Sequence, residues 1–179
     1  MREIKLLWKP ENIFKDYRRY LLMGYLLKTV KIYIGENMRF PEIFRFTLKT
    51  LKEINQTEIN INSLYSIIIK FLIVTGIGPE TDKCLKCEKK LDEGFFVTKE
   101  GGIFCEECSS NFEDKIFIDK KNLSLLKFLK KENLKNIKNL KIENRDILDR
   151  IIHDYLKFYL GENFTEDMKK IQKIQELKN

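Results

Sequence analysis

Apolar residues recur at helical spacing through most of this chain, and the pattern predicts five helices interrupted by one stretch of different character. Residues 12–35 place Ile13, Phe14, Tyr17, Tyr20, Leu21, Gly24, Tyr25 and Ile32 near the 3.6-residue period, with a break at Lys28. Leu22, Met23, Leu26 and Leu27 widen the stripe, which predicts burial on more than one side. Asn12 is the expected cap and Gly35 the stop. A second helix over 41–54 opens on Pro41, with Ile43, Phe44, Thr47, Leu48, Leu51 and Ile54 as its seam. A third over 62–76 turns Leu64, Tyr65, Ile67, Ile68, Phe71 and Leu72 inward, with Asn62 or Ser63 as cap and Gly76 just past its end. After the interruption, Asp119 or Asn122 caps a helix carrying Leu123, Leu125, Leu126, Phe128 and Leu129 to about Lys131. A polar, lysine-rich connector follows. Glu143 or Asn144 then opens a long helix through Ile147, Leu148, Ile151, Ile152, Tyr155, Leu156, Tyr159 and Leu160, stopping at Gly161. Residues 162–179 read either as a further helix from Thr165, with Met168, Ile171, Ile174 and Gln175 at helical spacing, or as a frayed end. The first eleven residues, with Ile4, Leu6, Leu7, Trp8 and Pro10, predict a short extended piece that must lean on the rest.

The interruption begins after the turn Ile77-Gly78-Pro79 and contains all four cysteines. Cys84-Leu85-Lys86-Cys87 is answered by Cys105-Glu106-Glu107-Cys108. Between them Gly94-Phe95-Phe96-Val97-Thr98 is strand-like, Lys99-Glu100-Gly101-Gly102 is turn chemistry, and Ile103-Phe104 runs back. Residues 112–118 offer a further short strand. Two CxxC turns at this interval fit a tetrahedral all-thiolate zinc site of Cys84, Cys87, Cys105 and Cys108. Four cysteines close the shell, so the metal is expected to be a structural staple; a catalytic zinc keeps one position for water. Two disulfides, or a redox pair, are the competing readings. The first suits secretion, of which there is no other sign, and the second wants a βαβ context that the pattern lacks.

The chain thus predicts a mainly α fold: a helical domain interrupted by an inserted four-cysteine zinc finger with a short β-hairpin. The expected division is a segment 1–11, a discontinuous helical domain of 12–81 and 111–161, an insert of 82–110, and a tail of 162–179.

Charge sharpens the picture. The net charge is +7, and residues 120–141 alone hold eight lysines against Glu132. Such a field attracts nucleic acid or an acidic peptide, although lysines on a wet helix face are the commoner outcome. The candidate contacts for an anionic partner are Arg18, Arg19, Lys120, Lys121, Lys127, Lys130, Lys131, Lys135 and Lys138. Tyr17-Arg18-Arg19-Tyr20 invites a stacking reading too, but its tyrosines are expected on the core stripe and its arginines on the wet face. The longest apolar run, at residues 67–74, is broken by Lys70 and is too short for a bilayer. With no signal-peptide core at the N-terminus, a cytoplasmic location is expected. No enzyme is expected: His153 is a lone helical histidine, and Gly76-Ile77-Gly78 lacks the strand–turn–helix context of a phosphate loop.

These parts, in this order, resemble the C-terminal two-thirds of the RecO family of recombination and repair mediators. Gly76-Ile77-Gly78-Pro79-Glu80 leading into Cys84-Leu85-Lys86-Cys87 resembles the family's passage from helix into finger. Glu100-Gly101-Gly102-Ile103-Phe104-Cys105-Glu106-Glu107-Cys108 resembles its return, Leu64-Tyr65 through Phe71-Leu72 the helix before the finger, and Tyr155-Leu156-Lys157-Phe158-Tyr159-Leu160-Gly161 the end of its last helix. The oligonucleotide-binding barrel that precedes these parts in the family is expected to be absent, with residues 1–9 at most its last strand or linker. The resemblance implies one structural Zn2+ and partners of two kinds, a RecR-like protein and the acidic tail of a single-strand-binding protein. It also implies single-stranded DNA binding, weakened without the barrel. An acidic amphipathic tail needs an apolar groove rimmed by cations, expected between the first helix and the last. The alternative is a freestanding zinc-finger nucleic-acid binder that uses the lysine window directly.

Overall fold

The computed structural model describes residues 8–34, 40–140, 142 and 145–176. Its centre is helix α3 (Ile61–Val74), whose side chains are buried around nearly the whole circumference, from Ile61 to Ile69 and again at Phe71 and Leu72. A helix apolar on all sides has to be enclosed. Four helices do this: α2 (Pro41–Gln56), α5 (Lys120–Lys131), α6 (Leu134–Ile137) and α8 (Glu162–Glu176). Helix α1 (Tyr17–Ile34) packs against α2 and α8, and α7 (Asp146–Leu160) against α8 and α5.

The polar residues of α3 tie down its neighbours. Asn60, not Asn62 or Ser63, is the cap: its side chain accepts from the Ser63 amide while the Ser63 hydroxyl answers to the Asn60 amide, a reciprocal box. Asn60 Nδ2 then donates to the Lys138 carbonyl and Asn62 Nδ2 to the Leu140 carbonyl, both at 2.7 Å. Ser66 Oγ donates to the Leu129 carbonyl at 3.0 Å. Asn62 and Ser66, buried in this helix, thus each satisfy a carbonyl of the segment running from α5 to α7.

Several sequence-based expectations change. The first helix does not begin at Asn12. Ile13–Lys15 form a 3-10 turn, Asp16 is extended, and α1 starts at Tyr17. Asn12 donates from its side chain to the Asn55 carbonyl instead, and Asp16 accepts from the Arg18 amide at 2.9 Å. Phe14, Tyr17 and Tyr20 are exposed, whereas Arg18 and Arg19 are half-buried beside Asp16. The break at Asp16 rotates the helix, so the tyrosines leave the core stripe. In α2, Phe44 is likewise exposed, and the seam runs through Ile43, Thr47, Thr50 and Ile54. The polar connector contains α6, capped by Asn133, which buries Leu134 and Ile137. Gly35, Glu143 and Asn144, the expected stop and start residues, lie outside the described residues, as do Ile4, Leu6 and Leu7. Trp8 packs against the core.

The tail is a helix. Gly161, at φ 94°, turns the chain, and α8 follows at once rather than from Thr165. It buries Phe164, Met168 and Ile171. Its Gln172 donates to the Tyr65 hydroxyl at 3.1 Å, and Tyr65 donates in turn to the Asp149 carboxylate. Helix α8 therefore lies against α1 and α7 and fills the gap between the first helix and the last in which a peptide groove was expected.

The interrupting stretch is a three-stranded antiparallel sheet in the order β2-β1-β3, with β1 at Gly94–Val97, β2 at Gly102–Phe104 and β3 at Ile116–Ile118. The third strand comes from the 112–118 stretch and extends the hairpin. No helix among the described residues is long and apolar enough to cross a membrane.

Candidate metal centre and interaction surface

The two cysteine pairs sit on turns fixed by the backbone. The Cys84 amide donates to the Lys89 carbonyl at 2.8 Å and the Glu88 amide to the Cys84 carbonyl at 2.9 Å, folding Cys84 to Cys87 into a knuckle. Glu88 completes the turn at φ 61°, a left-handed conformation that favours glycine. Replacing Glu88 with Gly should therefore stabilise the metal-loaded protein by about 1 kcal/mol. Its exposed ion pair with Lys83, 3.3 Å long, is worth little. Thermal unfolding that is unchanged or earlier in E88G would contradict this.

Cys105 and Cys108 flank the start of a one-turn helix, α4 (Glu106–Ser109). What brings the second pair to the first is Gly102. A Cβ there would lie 2.8 Å from the Glu80 carbonyl oxygen and 2.9 Å from Leu85, so only glycine lets β2 meet the segment entering the knuckle. The Ile103 amide donates to the Glu80 carbonyl at 3.1 Å and the Leu85 amide to the Ile103 carbonyl at 3.0 Å.

The four sulfurs lie within 4.8 Å of one another, and Cys87 Sγ is 3.8 Å from Cys105 Sγ. A tetrahedron with metal–sulfur bonds of about 2.3 Å has edges of about 3.8 Å, so the set fits such an ion with sulfur shifts of no more than about 1 Å. Burial opposes ionisation of Cys84, but the amides of Cys87, Cys105 and Lys86 outweigh it and hold the thiol down at about 6. Cys108, donating to the Cys105 sulfur, is pushed up to about 12. Four thiolates in this space would repel one another, and a bound cation would offset that repulsion as it displaces thiol protons. Among the described residues, this is the cluster able to hold a metal ion.

The cation candidates are scattered. Lys127 donates to the Leu91 carbonyl at 3.0 Å and sits 3.6 Å from Asp82. Lys130 donates to the Pro79 carbonyl at 3.0 Å and to Thr81 Oγ at 2.9 Å. Lys120 lies 3.4 Å from Asp92. These three residues of α5 bind the cysteine-bearing insert to the helices. Arg19 donates to the Thr57 carbonyl at 3.3 Å, and Arg18 approaches Asp16. Lys121 and Lys135 are exposed and Lys138 half-buried, with no common focus. His153 is half-buried on α7, its Nδ1 3.6 Å from Asp154.

Lys130 and Lys131 do meet a surface feature that sequence reasoning missed. A groove of about 490 Å3 runs between α2, α3 and the end of α5. Phe46, Ile67, Ile73 and Val74 supply its apolar lining, and its charged lining is Lys49, Lys70, Lys130 and Lys131 against Glu53 and Glu132. Lys70 donates to the Glu132 carbonyl, and burial lowers its pKa from the ordinary lysine value. The signal for it was the one lysine inside the longest apolar run, where an interior position ended at a lined opening.

A helical scaffold whose central helix leads into a small sheet, with four cysteines close enough together to hold a metal ion, defines the class of fold. Comparison with known proteins gives the family. Residues 15–167 match the family described as recombination protein O, C terminal. The chain is 26% identical over 157 residues to the DNA repair protein RecO of Caldanaerobacter subterraneus subsp. tengcongensis, covering 86% of this chain and 64% of that protein. It is 33% identical over 143 residues to the DNA repair protein RecO of Dehalococcoides mccartyi, covering 78% and 55% respectively, and 24% identical over 163 residues to that of a Thermoanaerobacter species, covering 89% and 66%. This chain belongs to the RecO family, and it spans about two-thirds or less of the length of these relatives.

Proposed function

We propose that this chain serves recombinational DNA repair as a non-enzymatic mediator in the cytoplasm, docking partner proteins beside single-stranded DNA. One structural Zn2+ held by Cys84, Cys87, Cys105 and Cys108 fixes the insert, and the helical domain presents the docking surface. The observation that carries the docking role is the lysine-rimmed apolar groove between α2, α3 and α5. An acidic amphipathic tail, such as that of a single-strand-binding protein, needs an apolar floor for its side chains and ammonium groups for its carboxylates. Phe46, Ile73 and Val74 supply the first, Lys49, Lys70 and Lys131 the second. A RecR-like protein is the second partner implied by the family, and it has no assigned surface here. DNA contact by this chain is weak and sequence-independent.

The freestanding zinc-finger reading is disfavoured by the same geometry. Lys120 and Lys127, which it would use for phosphate, face Asp92, Asp82 and Leu91 of the insert instead, and Lys130 faces Pro79 and Thr81 just before it.

The test is a titration of a labelled acidic amphipathic peptide and of a labelled single-stranded oligonucleotide, each at low and high salt. Lys49 and Lys131 are exposed, so K49E and K131E leave the fold intact. Together they should weaken the peptide at least about tenfold. Peptide binding untouched by both changes would overturn the groove assignment. An oligonucleotide bound far more tightly than the peptide, with a steep salt dependence, would restore the alternative.

A further inference from the structure

The four sulfurs of the cysteine cluster are not equivalent. Cys84 is fully buried and belongs to the hydrophobic core, Cys105 and Cys108 are half-buried, and Cys87 is exposed. The gradient follows from the first turn. Cys84 opens it from the core side, while Cys87 lies within Leu85 to Lys90, a run exposed throughout. The amides of Cys87, Cys105 and Lys86 also point at the Cys84 sulfur. Amide donors that stabilise a thiolate lower its nucleophilicity as well, so Cys84 is the least reactive of the set.

The nearest sulfur to Cys87 on the second turn is placed for a different bond. Cys87 Sγ lies 3.8 Å from Cys105 Sγ, and Cys105 stands at the N-cap of α4. A disulfide brings two sulfurs to about 2 Å, a movement of roughly 1 Å from each side. Pairing Cys87 with Cys84 instead would use the sulfur that the core and three amides hold in place.

We propose that Cys87 and Cys105 form an oxidation site for small peroxides, at which two metal ligands are converted to a disulfide and the ion is released. This rests on the reading of the cluster as a zinc centre. Hydrogen peroxide is the sole oxidant required. The Cys87 sulfur attacks one peroxide oxygen; an S–O bond forms, the O–O bond breaks and hydroxide leaves. The Cys105 sulfur then attacks the Cys87 sulfur; the S–S bond forms, the S–O bond breaks and a second hydroxide leaves. Two thiolates lose two electrons, the peroxide gains two, and both hydroxides take protons from solvent. Cys84 and Cys108 remain, two ligands where a closed shell needs four. A dithiol reductant reverses the disulfide and returns all four sulfurs to the cluster.

The experiment treats the metal-loaded full chain with excess hydrogen peroxide while a metallochromic indicator reads free zinc. Disulfides are then mapped by mass spectrometry after the remaining thiols are alkylated. Zinc release together with Cys87–Cys105 as the first disulfide is expected, and dithiothreitol with added zinc should restore the centre. C87H and C108H each keep three sulfurs and gain an imidazole, a set that also holds zinc. C87H should release zinc at least about tenfold more slowly than the unaltered chain, and C108H at close to the unaltered rate. Metal content before the peroxide is added tests the zinc reading by itself. If the purified chain holds none, the same disulfide map on the reduced chain decides the pairing. A first disulfide within either CxxC turn overturns the proposal. So does zinc loss from C87H at the unaltered rate, or a centre that peroxide leaves intact.

Discussion

Stripping the metal from the four-cysteine centre with a chelator is expected to unfold the stretch between Pro79 and Asp119 while the helices stay largely formed. The knuckle has little else to hold it. Cys84 is buried, but Leu85, Lys86, Cys87, Glu88, Lys89 and Lys90 are exposed, so its conformation rests on a few backbone hydrogen bonds and on the ion proposed for the site. In small modules structural zinc contributes on the order of 10 kcal/mol or more. Here the sheet's contacts with α5 and α7 retain part of that, so the loss should be local rather than global. Amide hydrogen exchange reads it directly. The Leu85 and Ile103 amides, bonded to Ile103 and Glu80 carbonyls, should exchange orders of magnitude faster after chelation, with the α3 amides little changed. Cys87→Ser should act in the same direction, because Cys87 is exposed and its hydroxyl replacement disturbs no packing. Exchange rates at Leu85 and Ile103 indifferent to chelator would remove the metal from the account.

The second large effect lies where the insert meets the helices. Phe96 of β1 is fully buried, its ring centroid 5.8 Å from that of Tyr155 on α7. Tyr155 in turn donates from its hydroxyl to the Ile77 carbonyl at 2.9 Å. Truncating Phe96 to alanine leaves a cavity at this junction, and such changes cost about 3–5 kcal/mol. For a chain of this size that is a fall in melting temperature of roughly 10 °C. Phe117, on the opposite face of β3, is exposed, and F117A should be close to neutral by comparison. Calorimetry of both variants checks the pair. A loss below about 1 kcal/mol in F96A would mean that the sheet and α7 are not packed as one unit.

What could be read from the residues, and what could not, divides along the range of the interactions involved. The clustering of the four cysteines is legible because two CxxC turns are local objects, each fixed by its own few residues. The same holds for Pro41 opening α2, Asp119 capping α5 and Gly161 ending α7, where the signal and its consequence lie within one turn. Helix α8 was left open because Phe164, Met168 and Ile171 are sparse among charges, and only the surfaces of α1 and α7 make them a core-facing stripe. Helix α6 was missed for the same reason. A helical period running unbroken from Asn12 puts Tyr17 and Tyr20 inward, and the break at Asp16 turns the phase. Lysines at 127 and 130 belong to a basic window of the sequence, but in the fold their ammonium groups reach the Leu91 and Pro79 carbonyls, dozens of residues away.

The insert also bears on how fast this protein reaches its native state. Helices α3 and α5 pack together, yet α3 ends at Val74 and α5 begins at Lys120, and everything between them must be closed as a loop before that packing is gained. An ion joining Cys84 to Cys108 early on takes a large part of that loop out of the search. Halving a loop saves about 0.6 kcal/mol of closure entropy, so refolding in the presence of metal should run about threefold faster than in its absence.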